Sequence, residues 1–109
     1  MEFKAEFLDL DLKLITLEKE EVEIIPKSIM NTTNTIKIID QWTKLEKKND
    51  EIKDKEKKIN PFDLIAIELE FIYPKTKKWF LDNFDPRVLG EIMTYVARTL
   101  GGLKKKEKN

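Results

Sequence analysis

The sequence predicts an α+β fold that is predominantly helical, an N-terminal β-hairpin followed by three to four helices. Two patterns carry this reading. Leucines alternate with charged residues between Leu8 and Leu14, the period-two signature of a half-buried strand. Past residue 34 the apolar residues recur at three- and four-residue spacing, and two Asx-Pro steps mark helix starts. The 109 residues suit a single domain, read as residues 1–102.

The hairpin is placed at about 7–26. Leu8, Leu10, Leu12 and Leu14 share one face, with Asp9, Asp11 and Lys13 on the other. Val22 and Ile24 repeat the alternation after a charged turn, Glu18-Lys19-Glu20-Glu21. That turn lacks Asn-Gly or Asp-Gly, so the register stays open. Pro26 ends the second strand because it has no N–H for a ladder.

A first helix is expected over about 35–48, with a start near 28 as the alternative. Ser28, Asn31 and Asn34 are its candidate caps, since each side chain can accept from the free N–H groups of a first turn. Ile36, Ile39 and Trp42 form its stripe, with Ile38 and Leu45 beside them. Residues 46–59 hold Ile52 and Ile59 as their sole apolar side chains and read as a flexible charged segment, a frayed helix end running into a linker.

Asn60-Pro61-Phe62-Asp63 opens the next helix, about 60–72. Asn60 caps, Pro61 loses nothing at a first position that has no N–H partner, and Asp63 faces the positive end of the dipole. Phe62, Ile65, Leu69 and Ile72 form the expected buried stripe, widened by Leu64, Ile67 and Phe71. Tyr73-Pro74 stops it. A short helix over 76–83 carries Trp79, Phe80 and Leu81. Asp85-Pro86 opens the last, over 86–100, with Val88, Leu89, Ile92, Tyr95, Val96 and Leu100 on its buried side. Gly101-Gly102 should end it, leaving 103–109 as a disordered basic tail.

Composition narrows the chemistry. Cysteine is absent, which removes disulfides, thiolate metal sites and thiol nucleophiles. Histidine is absent too, and with it the usual general base and metal ligand. The three glycines, Gly90, Gly101 and Gly102, form no phosphate-binding loop. The expectation is a protein that is not an enzyme, with no catalytic residues, metal or cofactor. Apolar runs are too short for a membrane span, and the start reads as acidic chain rather than a signal peptide, so a cytoplasmic protein is expected.

Charged residues make up 39%, against about a quarter in an average protein, so the excess belongs on solvated or partner-facing surfaces. Net charge is zero but unevenly spread. Residues 1–26 hold eight acids and three lysines, residues 44–59 seven lysines and five acids, and residues 103–109 four lysines and one acid. A nucleic-acid binder carries a domain-wide basic excess, which argues against that class. Asp9 and Asp11 read as a solvated strand face. Glu68 and Glu70, two apart on a helix and so divergent, read as a polar margin. Trp42 and Trp79 fit apolar stripes and read as core first, protein interface second and base-stacking platform last.

The run from Tyr73 to Ile92, with Trp79-Phe80-Leu81 and Asn83 leading into a last amphipathic helix, resembles the C-terminal part of tail assembly chaperones from long-tailed, siphophage-type bacteriophages and prophages. The overall layout is similar as well. The resemblance implies a protein that binds the tape measure protein, recruits tail tube subunits and is absent from the mature virion. It also implies a longer product made by frameshifting, with Lys104-Lys105-Lys106 compatible with A-rich codons. An apolar groove with a charged rim would hold an amphipathic helix. Trp79, Phe80, Phe84, Met93 and Tyr95 are the expected contacts, and replacing Trp79 and Phe80 by Ala should then weaken binding without unfolding the chain. Self-association is a further expected contact. Three readings compete with this one: a small phage connector or tail-completion protein, a nucleic-acid-associated regulator using the lysine-rich segments, and an enzyme working through carboxylates alone.

Overall fold

A computed structural model of the chain describes residues 10–27 and 31–107. Residues 7–9 of the expected hairpin, the candidate cap Ser28, Asp9 of the acidic pair and the last two residues of the expected tail lie outside the described residues. Two strands, β1 (Leu12–Ile15) and β2 (Glu21–Ile24), precede four helices: α1 (Thr32–Asp50), α2 (Pro61–Glu70), α3 (Lys77–Asn83) and α4 (Pro86–Glu107). The fold is α+β and predominantly helical, with an N-terminal antiparallel hairpin.

Leu12 pairs with Ile24 and Leu14 with Val22, so the alternating leucines and the β2 aliphatics share the inner face. Leu10 and Ile24 are fully buried there, while Asp11 and Lys13 point outward, Lys13 directly across from Glu23. The turn occupies residues 16–20, earlier in the chain than the charged run suggests, and Glu21 belongs to β2. Thr16 is the reason. Its N–H donates to the Glu20 carbonyl at 3.0 Å, its Oγ1 accepts from the Glu20 N–H, and its carbonyl accepts from Lys19, which takes a left-handed φ of 63°.

The helix starts follow their caps. Asn31 accepts from the Asn34 N–H at 2.9 Å, Asn60 from Phe62 and Asp63, Thr76 from Trp79, and Asp85 from Val88. The buried faces differ from the expected stripes. On α1 the core takes Thr35, Ile38 and Trp42, leaving Ile36 largely in water. On α2 it takes Ala66, Glu68 and Leu69, and Phe62 is exposed at the first turn. Ile72 and Tyr73 leave the helix yet are fully buried.

α1 runs to Asp50, so the first third of the charged segment is helical. Asn49 closes the loop that follows: its Oδ1 accepts from the Ile59 N–H at 2.8 Å and its Nδ2 donates to the Ile59 carbonyl. α4 continues through Gly101-Gly102 to Glu107, so the expected stop and the first part of the expected disordered tail are corrected. Glycine lowers helix stability by about 1 kcal/mol against Ala but does not forbid the helical φ and ψ. Leucine, lysine and glutamate beyond it are good helix formers.

One cluster joins the hairpin to the helices through Leu10, Ile24, Ile38, Trp42, Leu69, Tyr73, Phe80, Phe84, Leu89 and Val96. Three polar ties close it. The Tyr73 hydroxyl donates to the Leu10 carbonyl at 2.7 Å, the Lys27 N–H to the Ile72 carbonyl at 2.8 Å, and the Trp42 indole N–H to the Glu68 carbonyl at 3.0 Å.

Candidate protein-docking surface

The hairpin tip carries apolar side chains that the core does not use. In a period-two strand, residues opposite to Leu12 and Leu14 face away from the core. Ile15 occupies such a position and is 69% exposed, and Leu17 in the turn is 60% exposed; Ile25, 59% exposed, lies at the opposite, open end of the ladder. Charged residues crowd the same region: Lys13, Glu18, Lys19, Glu20, Glu21 and Glu23 are all exposed. Large aliphatics set in a charged rim are the usual composition of a protein-binding patch.

The tip is held in place. The Leu17 N–H donates to the Asn83 carbonyl at 2.9 Å, and the Asn83 side chain donates to the Trp79 carbonyl at 2.8 Å. The loop therefore docks on the C-terminal end of α3, whose last four carbonyls lack helical partners. This sets Leu17 beside the aromatic turn.

Trp79, Phe80 and Phe84 come together in that turn. Trp79 meets Phe80 edge-on at 5.1 Å between centroids and Phe84 at 5.5 Å, geometries that match positive ring edge to negative ring face. Tyr73 stacks at a tilt on the inner side of Phe80. Phe80 is fully buried and Phe84 nearly so, hence neither offers a surface to a partner in this arrangement. Phe80→Ala would remove core volume, at about 3–5 kcal/mol, so the double Ala variant of Trp79 and Phe80 would lower stability along with any effect on binding. Trp79 is half-buried, with the Lys75 ammonium 5.0 Å from its ring centroid. The structure does not bring Met93 and Tyr95 into this group as surface partners. Met93 is half-buried against the core, and Tyr95 stands on the outer face of α4, 43% exposed. There it lines an open depression of about 810 Å³ with Arg87, Gly90, Glu91, Thr94, Arg98 and Thr99.

Among carboxylates, Asp11 lies on the solvent face, as its alternation with the leucines requires. Glu68 does not sit on a polar margin: it is 2% exposed. Burial raises its carboxyl from the ordinary 4.5 to about 7, helped by repulsion from and a hydrogen bond with Glu46. Its Oε2 has no hydrogen-bond partner. The flanking Ile67 and Leu69, in a helix apolar almost all round, were the sequence signal for this burial. Glu70 is half-buried and its carbonyl accepts from the Lys27 ammonium. Among the described residues, no group of three or more acidic, histidine or cysteine side chains could hold a metal ion, and no helix is long and apolar enough to cross a membrane.

No family model, curated protein or solved structure matches the chain.

Proposed function

We propose that the chain is a protein-binding assembly factor of the tail assembly chaperone kind, acting in the cytoplasm of a host bacterium on a long helical tape measure protein. The observation that carries the reading is the pinned apolar tip: Ile15 and Leu17, mostly in water, fixed next to the aromatic turn through Asn83. Such a patch is costly to leave exposed and gains by covering the apolar stripe of an amphipathic helix. The charged rim around it suits the polar edges of that helix and keeps the unbound chain soluble. The resemblance of residues 73–92 to tail assembly chaperones supplies the identity of the partner. Recruitment of tail tube subunits would use a second surface.

The test is co-expression with a candidate tape measure protein, a long helical protein from the same genome. Soluble tape measure protein that co-purifies with the chain, and aggregates without it, is the expected result. A tape measure protein equally soluble in the absence of the chain would reject the reading.

A further inference from the structure

We infer, resting on the reading of Ile15 and Leu17 as the partner-binding patch, that Lys19 is the polar anchor of the hairpin tip, its ammonium set to pair with a carboxylate beside the apolar stripe of the partner helix. The Thr16 N–H donates to the Glu20 carbonyl and the Lys19 N–H to the Thr16 carbonyl, which encloses a three-residue loop, Leu17 to Lys19. The last residue of such a loop takes the left-handed region, a place that glycine fills by default. Here it is a lysine, at φ 63°, and among the described residues no other backbone has a positive φ. A Cβ in that region crowds the following carbonyl oxygen, so any side chain there strains the turn.

The fold makes no use of the side chain that carries this strain. Lys19 is exposed, and no ion pair among the described residues takes up its ammonium. Its backbone N–H closes the loop, which a glycine would do equally well. Strain kept at an exposed position with no internal contact to support it points to a role outside the chain. The charge pattern says which. Residues 16–23 hold four glutamates and, apart from Lys19, no cation. Without Lys19 the tip would offer acids alone and would repel the acidic edge of an amphipathic helix. With it, the glutamates suit lysines on that helix and Lys19 suits a carboxylate next to the groups that Leu17 covers.

Isothermal titration of the full chain with the candidate tape measure protein, alongside thermal unfolding of each variant, tests this. Lys19→Gly should raise the Tm by a few degrees and weaken binding by roughly five-fold or more. Lys19→Met keeps the strain and loses the charge, so its Tm should stay native while its affinity falls and depends less on salt. Lys19→Arg should bind like the native chain. A Lys19→Gly chain with a lowered Tm would show that the side chain serves the fold, and would overturn the inference while leaving the patch reading intact. Lys19→Met binding as tightly as the native chain would overturn it too. Leu17→Glu then separates the two claims: lost binding keeps the patch and removes the anchor alone, whereas native binding removes both. A native chain that does not bind rejects both as well.

Discussion

Glu68 lies between the indole of Trp42, which bonds its carbonyl, and the carboxylate of Glu46, one helical turn further along α1. A carboxyl raised to about 7 binds its proton more tightly in the folded chain than in the unfolded one. The stability this contributes is full below about pH 4.5 and is lost as pH rises through about 7. The loss amounts to about 3 kcal/mol at most. Glu68→Gln keeps the shape and removes the titration. Thermal unfolding should show the native chain losing stability from about pH 4.5 to about pH 7, with a flatter profile for Glu68→Gln and a higher Tm at the alkaline end. A variant with the unchanged slope would mean that Glu68 is hydrated in solution. Tyr73→Phe tests a second buried tie, the bond to the Leu10 carbonyl, and should cost about 1–2 kcal/mol in denaturant unfolding. Single-residue burial of this kind was poorly legible in the sequence. Periodicity places a face on a helix only to within one neighbour, and Ile36 and Phe62 were assigned inward while Thr35 and Glu68 took the core positions.

For the secondary-structure elements, α2, α3 and α4 start and α3 ends within a residue of the expected positions, whereas α1 starts three residues early and ends two late, α2 ends two early and α4 runs seven past its expected end. Each helix begins beside a side chain that accepts from its first turn, and Asn, Thr and Asp announce that chemistry in the sequence. The ends have no such marker. α1 and α2 stop at Glu51 and Phe71, both with right-handed backbone, and α4 passes through two glycines. Asn60→Ala removes both bonds to the first turn of α2, the helix at the centre of the core. A loss of about 1–2 kcal/mol in denaturant unfolding is expected, with Asn60→Asp close to native. The hairpin was legible as an element from its alternation. Its turn was displaced because Thr16, rather than the charged run after it, closes the loop.

The whole molecule measures 54 × 38 × 20 Å with a radius of gyration of 15.3 Å. A compact chain of this length would have about 13 Å, so this one spreads its elements and leaves broad faces in water. Two of those faces carry features the core does not explain, the apolar hairpin tip and the outer side of α4. The aromatic turn that the sequence pointed to supports the first of them from beneath. Trp79, Phe80 and Phe84 are a scaffold, and the residues that reach outward are Ile15, whose position follows from its alternation with Leu12 and Leu14, and Leu17, which lies in the turn where alternation no longer applies. The central claim is that this tip holds the partner protein. Isothermal titration of the purified chain with the proposed partner, a tape measure protein, comparing the native sequence with the Ile15→Glu, Leu17→Glu double variant, tests it most directly. Both substitutions fall on exposed side chains, so circular dichroism and Tm should change little. The account predicts that affinity falls by roughly a hundred-fold or more, as two apolar anchors are lost. A folded double variant that binds as tightly as the native chain would contradict it.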